Sequence, residues 1–406
     1  MHSIFFLFIA GLFMSAPSQS QLARELFNSY DSYKVADITS RRFNQADLYR
    51  WLVPLKEKNV FEQATVGTSA ERRSISLLTV GKGQTRVFLW SQMHGDEPTA
   101  TMALVDMLNF FARNPSHTVT TTIREKLTVL ILPMVNPDGA ERFQRRTAQL
   151  IDMNRDAISL VTPEARILKE VRDRYQPEFG FNLHDQEPRY TVGSTKNVTA
   201  IALLAPATDE SRFDNTVRLR AKHVASVVAD IMSQFIPGHV SKYDDTFEPR
   251  AFGDNIQRWG TSTILIESGG WPNDRDKMFL RKLNCVALLT TLVSIANRSY
   301  EQAEVSVYED IPYNTKYLYD LIVRDAQLKS SKTAAPIHVD VGINFEEEKI
   351  LDGRVYLMGK IVDIGDLSIY TSFEEIDAGG VLLDDSTIGL DKPITVEDAH
   401  ALGTRR

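Results

Sequence analysis

Short apolar runs rich in β-branched residues alternate with longer stretches of helical periodicity over the first three quarters of the chain. This alternation is typical of strand–helix–strand units, which build a mostly parallel sheet with helices on its faces. The runs predicted as strands are residues 86–91, 127–134, 179–184, 199–205 and 262–267. The stretches predicted as helices are residues 98–113, 163–175, 214–235 and 276–297. We therefore expect an α/β domain with a mixed, mostly parallel sheet flanked by helices.

A different pattern begins after residue 299. Residues 336–389 contain short β-branched runs interrupted by Gly and Asp, which favours strands and turns over helices. We expect a main domain over residues 21–300 and a smaller β-rich C-terminal domain over residues 301–406. The residues of this second domain do not indicate its role.

The N-terminus has the pattern of a secretory signal peptide. The first twenty residues carry no Lys, Arg, Asp or Glu, and residues 3–16 form an apolar run that ends in small residues. The run is too short to span a bilayer comfortably. We expect residues 1–20 to be removed, the mature chain to begin near Gln21, and the protein to be secreted or periplasmic in a bacterium. A buried N-terminal helix is the alternative.

Composition argues against several kinds of partner and site. The chain has 406 residues, and its 46 basic and 53 acidic residues give a formal charge of −7, which argues against nucleic acid or an anionic membrane as the main partner. Cys285 is the only cysteine, so an intramolecular disulfide and a cysteine-based metal cluster are both excluded.

Four ionisable residues fall at or just after the ends of predicted strands: His94, Glu97, His184 and Glu267. In open α/β sheets, ligands bind at the carboxyl ends of the strands. A catalytic zinc ion takes three ligands from His and Asp or Glu and keeps a fourth position for water, and the first three residues supply such a set. Taken singly, the same residues also fit a surface turn, a helix-capping carboxylate and a hydrogen-bonded strand end.

An arginine-rich segment follows the second predicted strand. A turn signature, NPDG at residues 136–139, is followed by Arg142, Arg145, Arg146 and Arg155. Guanidinium groups bind carboxylates and oxyanions, although an arginine cluster also fits a solvated face. Glu267 ends an apolar strand, and a buried carboxylate needs a partner, a metal-bound water or solvent nearby.

Six short motifs occur in the order, and at roughly the separations, of one enzyme family: GTSAERRSI, HGDE, NPDG, DMNRD, FNLHDQ and ILIESGG. Over about residues 41–297 the chain resembles the zinc carboxypeptidases of the A/B type. The resemblance implies one bound zinc ion with His94, Glu97 and His184 as its ligands. It implies that Glu267 is the general base and acid, which takes a proton from zinc-bound water and delivers it to the leaving amine.

The resemblance also assigns roles around the metal. Arg145 resembles the arginine that stabilises the developing oxyanion, with Arg146 as the rival. Asn154 and Arg155 resemble the clamp for the terminal carboxylate of the substrate. Asp152 resembles the partner that orients the first histidine ligand.

Two departures concern the substrate. The family commonly has a mobile tyrosine near the positions of Thr246 and Phe247, and here Tyr243 is the nearest tyrosine and a candidate for substrate binding. The residue that tunes side-chain preference in the family precedes the aspartate that Asp254 resembles, and it is Gly253 here. This glycine indicates no charge preference.

The resulting hypothesis is a secreted or periplasmic zinc metallocarboxypeptidase that hydrolyses a C-terminal peptide bond. Two alternatives stay open: a zinc amidohydrolase that deacylates N-acyl amino acids, and a catalytically inactive peptide-binding relative. The expected partner is a peptide or acyl-amino-acid substrate, with neither nucleic acid binding nor a membrane span.

Overall fold

The computed structural model describes residues 18–329, 335–351, 354–384 and 388–403. Residues 1–17, which make up most of the predicted signal peptide, lie outside the described residues. Helix α1 begins at Gln19, with the Ser18 side chain accepting a hydrogen bond from the Gln21 amide, so the described fold includes residues that precede the expected mature N-terminus.

The helices of the described chain are α1 (Gln19–Tyr33), α2 (Gln45–Glu57), α3 (Thr99–Arg113), α4 (Thr118–Lys126), α5 (Pro137–Arg142), α6 (Pro163–Tyr175), α7 (Thr216–Ser233), α8 (Phe252–Arg258), α9 (Met278–Asn297), α10 (Ser306–Glu309) and α11 (Val396–Ala401). The first nine strands are β1 (Glu62–Thr68), β2 (Ser74–Val80), β3 (Thr85–Ser91), β4 (Leu127–Leu132), β5 (Phe179–Asp185), β6 (Thr191–Val192), β7 (Ile201–Leu204), β8 (Val240–Lys242) and β9 (Ser262–Ser268). The remaining strands are β10 (Asn314–Thr315), β11 (Leu318–Lys329), β12 (Ile337–Leu351), β13 (Arg354–Gly365), β14 (Thr371–Asp377), β15 (Leu382–Asp384) and β16 (Pro393–Thr395).

The main sheet has eight strands in the order β1-β2-β4-β3-β5-β9-β7-β8. The pairs β3–β4, β3–β5, β5–β9 and β7–β8 are parallel, and the other three pairs are antiparallel. The predicted α/β class with a mixed sheet flanked by helices is thus confirmed, and all five predicted strands and all four predicted helices appear within a few residues of their expected bounds.

Alternation along the strands divides the core between the two faces of the sheet. In β3, Val87 and Leu89 join the cluster formed with α1, α3, α7 and α9, whereas Phe88 and Trp90 join the cluster formed with α6 and α8. Successive side chains of a strand point to opposite faces, so a strand covered by helices on both sides must be apolar throughout. The sequences of the central strands are therefore continuous apolar runs.

Helix α9 is the apolar centre of one helical layer. By length and composition alone it could cross a membrane, but 78% of its 18-residue apolar window is buried inside the protein. Its apolar character is accounted for by contacts with α1, α3 and α7 on one side of the sheet.

The C-terminal part forms a second sheet. Its strands follow the order β14-β11-β12-β13-β16, and β15 also pairs with β11. Residues 301–315, which follow the expected boundary, still pack on the main sheet's side: Tyr308 belongs to its core, and β10 pairs with β6.

Candidate active site

The candidate residues meet where three neighbouring parallel strands end. Strands β3, β5 and β9 are adjacent and parallel, and His94 lies three residues after the end of β3. His184 and Glu267 lie near the ends of β5 and β9 and are direct partners in the register of that pair. The order of the strands thus brings together residues that are 173 positions apart at most (267 − 94 = 173).

The turn after β3 has a constrained backbone. Gln92 has a left-handed φ of 47°, and its backbone carbonyl accepts from the Asn136 amide. A Cβ on Gly95 would stand 2.0 Å from the backbone of Gly139, so this close approach requires glycine. The NPDG turn therefore supports the segment that carries His94.

Three potential metal ligands converge at this turn. The Nδ1 atoms of His94 and His184 each lie 2.7 Å from a different oxygen of Glu97, and all three side chains are buried. Their ligand atoms all lie within 4.8 Å of one another. Helix α3 begins at Thr99, one residue later than predicted, so Glu97 lies in the turn just before the helix.

The orientation of the His94 ring is fixed by Asp152, on the side away from Glu97. Its Nε2 lies 3.1 Å from Oδ1 of Asp152, whose other oxygen accepts from Arg145. A histidine that donates through Nε2 to a carboxylate presents the lone pair of Nδ1, as metal-ligating histidines do. Burial lowers the pKa of His94, but the charge of Glu97 and the hydrogen bonds with Asp152 and Glu97 together outweigh it and raise that pKa to about 9.

This donor set fits a zinc ion. Two imidazole nitrogens and a carboxylate are the ligands of catalytic zinc sites. Each 2.7 Å contact joins a ring nitrogen to a carboxylate oxygen, so a proton or a cation must lie between the two lone pairs. The Nε2 atom of buried His184 has no hydrogen-bond partner among the described residues, so Glu97 is the described group that holds the His184 ring through Nδ1.

Glu267 stands beside the three ligands without a partner for one of its oxygens. Its Oε2 is buried and lacks a hydrogen-bond partner in the described part of the chain. Burial, reinforced by the charge of Glu97, raises the pKa of Glu267 well above its usual range. A carboxyl group with a raised pKa is suited to accept and return a proton near neutral pH.

The two rival arginines are separated by the structure. Arg145 donates to Glu97 at 3.0 Å and to Asp152, and it lines the same cavity as the ligands. Arg146 instead donates to the Leu150 carbonyl at 3.0 Å and is absent from the described lining of that cavity. Only Arg145 is therefore placed to meet a group bound at the ligands.

The cavity, of about 490 Å³, also receives the predicted carboxylate clamp. Asn154 and Arg155 line it, and the Asn154 side-chain oxygen accepts from the Phe252 amide at 2.8 Å. Arg155 lies 3.3 Å from Glu248, which also binds Arg250. A substrate carboxylate would thus share Arg155 with Glu248.

Tyr243 lines the cavity as well. Burial, with a contribution from the charge of Glu267, raises the pKa of the Tyr243 phenol to about 12, so the group keeps its proton at neutral pH. Thr246 is a lining residue, whereas Phe247 is not among the described lining residues. Gly253 lies at the lining next to Asn182, and a Cβ added there would stand 3.0 Å from the Asn182 amide nitrogen.

Lys277 is one of the lining residues that the sequence did not predict. Lys277 has a left-handed φ of 56°, is buried, lies 3.3 Å from Asp185 and donates to the Ser268 carbonyl. Its neighbours Asn273, Asp274, Arg275 and Asp276 are polar, so the stretch resembles an ordinary solvated loop. No signal in the sequence distinguishes this lysine from an exposed one.

Comparison with known proteins agrees with this geometry. Residues 48–197 match the family described as zinc carboxypeptidase. This part of the chain is similar to the zinc carboxypeptidases. The resemblance that the six motifs indicated is thereby confirmed.

Curated relatives of this carboxypeptidase domain come from fungi. The chain is 30% identical over 224 residues to Carboxypeptidase 2 of Trichophyton rubrum, covering 54% of this chain and 39% of that protein. It is 33% identical over 113 residues to Carboxypeptidase 2 of Trichophyton tonsurans, covering 28% and 21%. The chain thus spans less than half the length of these relatives.

Solved structures share the carboxypeptidase fold. A metallo-carboxypeptidase from Burkholderia cenocepacia aligns with a TM-score of 0.50 at 15% identity, covering 63% of this chain and 70% of that one. Bovine thrombin-activatable fibrinolysis inhibitor aligns with a TM-score of 0.51 at 15% identity, covering 66% and 98%. At this identity the likeness concerns the fold.

Proposed function

We propose that the protein is a secreted or periplasmic zinc metallocarboxypeptidase that releases the C-terminal residue of a peptide. The observation that carries the proposal is the buried set of His94, Glu97 and His184 in one cavity with Glu267. The apolar leader at residues 1–20 supports export.

His94, Glu97 and His184 would hold the zinc ion. When bound, zinc polarises the scissile carbonyl and makes a water molecule more acidic. Asp152 keeps His94 in the tautomer that offers Nδ1. The pair of histidines holds the pKa of Glu97 below its usual range despite burial, so this carboxylate is available as a ligand over a wide pH range.

Glu267 is the proposed proton carrier. Its buried, unpartnered oxygen takes a proton from the attacking water and returns it to the nitrogen of the departing residue. Arg145 has a guanidinium fixed by Asp152 at the edge of the ligand set, where it stabilises negative charge on the carbonyl oxygen. Asn154 and Arg155 bind the terminal carboxylate and so set which bond is cut.

The decisive test combines Glu267→Gln with zinc analysis. Because the amide cannot accept the proton, we expect kcat for release of the C-terminal residue of a blocked tripeptide to fall by about 10²–10⁴-fold. Zinc content by mass spectrometry should stay at one ion per chain, since Glu267 is not a ligand. Glu57→Gln, at the exposed end of α2, is the matched control and should leave kcat unchanged.

Two results would contradict the proposal. One is wild-type protein that purifies with zinc but releases no C-terminal residue from any peptide. The other is a Glu267→Gln variant with wild-type activity. Hydrolysis of N-acyl amino acids without peptide cleavage would identify the amidohydrolase alternative.

A further inference from the structure

One wall of the cavity comes from a segment that leaves β5. Residues 186–193, here called the rim segment, directly follow the metal-ligand strand, and Gln186, Glu187, Pro188 and Tyr190 line the cavity together with His184. This wall is built from a connection and a two-residue strand, β6, rather than from a strand of the main sheet. Such a wall needs support from outside itself to hold one position.

The C-terminal sheet supplies that support through an ion pair. Arg189 of the rim segment lies 2.8 Å from Asp320 at the start of β11, and both side chains are largely buried, with 14% and 18% of their surfaces exposed. The same Asp320 oxygen accepts from the Phe345 amide of β12 at 2.6 Å. Arg189 also binds Glu187, so the contact extends from the C-terminal sheet to a side chain that lines the cavity.

Further contacts hold the rim segment along its length. The Asn314 amide donates to the Gln186 side chain at 2.8 Å, and the Tyr313 carbonyl accepts from the Gly193 amide at 2.7 Å. Gly270, three residues after Glu267, fits between the Pro188 carbonyl and the Phe373 ring: an added Cβ would stand 2.4 Å from the former and 3.0 Å from the latter. The C-terminal sheet therefore packs next to the strand end that carries the proposed proton carrier.

The direction of β5 shows which part of a substrate would meet this wall. Asn182, His184 and Gln186 are successive alternate residues of the chain. In an extended chain such residues lie on one face, with about 6.6 Å between one and the next. His184 is the proposed ligand at the scissile bond. Asn182 and Gln186 therefore lie on opposite sides of the bond to be cut.

The Asn182 side is the one that receives the terminal residue. Asn182 lies beside Gly253, where an added Cβ would stand 3.0 Å from the Asn182 amide nitrogen, and the neighbouring Phe252 donates its amide to Asn154 of the proposed clamp. A peptide anchored there and crossing His184 runs on toward Gln186. The residues that precede the scissile bond would then lie against the rim segment.

We propose that the C-terminal sheet positions the subsite for the residues preceding the scissile bond, with Arg189 and Asp320 as the positioning residues. The proposal rests on the carboxypeptidase function proposed above. It assigns to the C-terminal sheet a role in binding extended peptides, in addition to any contribution it makes to folding.

The test compares two peptides that share a C-terminal residue: a blocked dipeptide and a blocked pentapeptide. In Asp320→Asn the charge that fixes Arg189 is lost, and we expect KM for the pentapeptide to rise by about fivefold or more, with KM for the dipeptide and kcat for both within about twofold. Asn314→Ala should shift the same KM without touching the ion pair. Arg189→Met should resemble Asp320→Asn, whereas Arg189→Lys should largely restore the pentapeptide KM.

The matched control is Asp340→Asn, which breaks the Arg324–Asp340 pair inside the C-terminal sheet at similar exposure, 21% and 20%. It should leave both KM values unchanged even if it lowers Tm as much as Asp320→Asn. Hydrogen exchange gives a readout independent of activity: amides of residues 186–193 should exchange faster in Asp320→Asn than in Asp340→Asn.

The outcomes separate the two proposals. If the wild-type protein releases no C-terminal residue, the carboxypeptidase function fails, and the exchange rates still decide whether Asp320 positions the rim segment. Equal KM changes for both peptides, or rim exchange that is the same in Asp320→Asn and Asp340→Asn, would overturn the positioning role.

Discussion

At the scale of single residues, the structure distinguishes two neighbouring arginines that the sequence alone does not tell apart. Arg145 and Arg146 are neighbours with the same chemistry, and the spacing of motifs alone does not choose between them. The choice is made by Asp152, which holds the guanidinium of Arg145 toward the ligands while Arg146 turns to the Leu150 carbonyl. A role in oxyanion stabilisation depends on such a fixed direction.

This difference gives a paired prediction. Arg145→Ala should lower kcat by about 10²–10³-fold, because a preorganised donor to the developing oxyanion is lost. Arg146→Ala should change kcat by less than about twofold, since its guanidinium lies away from the cavity. Steady-state kinetics on one blocked peptide measure both, and equal losses in the two variants would refute the assignment.

The residues predictable from sequence are those set by strand ends. His94, Glu97, His184 and Glu267 are brought together by the order of three parallel strands, which an alternating pattern and a family resemblance already indicate. Lys277 and the rim segment were not predictable, because their positions depend on contacts between loops that have no periodicity. Tyr243 was anticipated only as the nearest tyrosine, and its place in the cavity comes from the folded path after β8.

At the scale of elements, helix α8 carries a buried aspartate, Asp254. Asp254 lies in the first turn of α8, is 8% exposed and lines the cavity. Burial raises the pKa of Asp254 to about 7, although its oxygen accepts from the Glu248 amide. The preceding loop and the helix are therefore joined by a carboxyl group that the fold prefers protonated.

The sign of the resulting pH effect follows from linkage. In the unfolded chain an aspartate has a pKa of about 3.9, so between about pH 4 and 7 the folded protein binds the proton more tightly and loses stability as the pH rises. Asp254→Asn removes this loss. From pH 5 to pH 8, the free energy of unfolding of the variant should rise by about 2–3 kcal/mol relative to that of the wild type. Urea unfolding at the two pH values measures this change. A constant difference at the two pH values would show that Asp254 titrates normally.

Strands β3, β4, β5, β7 and β9 were predicted from their apolar runs, whereas β2 was not, although most of its residues are buried. Strand β9 has a continuous apolar pattern, but edge strand β1, Glu62–Thr68, is mostly exposed and rich in polar residues, so its sequence gives no strand signal. It is a strand because it pairs with β2, a long-range condition that local propensity does not contain.

At the scale of the whole molecule, a buried ion pair joins helix α1 to helices α3 and α9 of the main domain. Arg281 of α9 binds both oxygens of Asp106 of α3, and Tyr30 of α1 donates to the same carboxylate. Arg281 also donates to the carbonyls of Val35 and Ile38, which follow α1. Three helices that are distant in sequence thus share one polar centre within an apolar layer.

Removing one member of this centre should be costly. Arg281→Met leaves the Asp106 carboxylate buried without its cation, and we expect the free energy of unfolding to fall by about 3–5 kcal/mol. Lys34→Met, which breaks an exposed pair with Asp31, should cost less than about 1 kcal/mol. Denaturant unfolding measures the free energy of unfolding of both variants. Similar losses would mean that the buried ion pair stabilises the fold no more than the exposed one.

The second sheet shows a related limit of sequence reasoning. The β-branched runs between residues 336 and 389 predicted strands in this part of the chain, but β11, which carries Asp320, was not among them, and nothing in the sequence indicated that Asp320 meets Arg189 beside the cavity. Contacts between sheets depend on how the chain returns to the main sheet through residues 299–315. That return path is short and polar, and carries little pattern of its own.

The single cysteine offers a means of observing the molecule as it opens. Cys285 is fully buried in α9, and burial raises the pKa of its thiol well above the usual range, so the group is neither reachable nor reactive in the folded protein. A thiol-specific dye would therefore react only when the helices packed around Cys285 separate. The rate of colour formation in native buffer would time that separation directly, with no label added to the protein beforehand and no second thiol to confuse the signal.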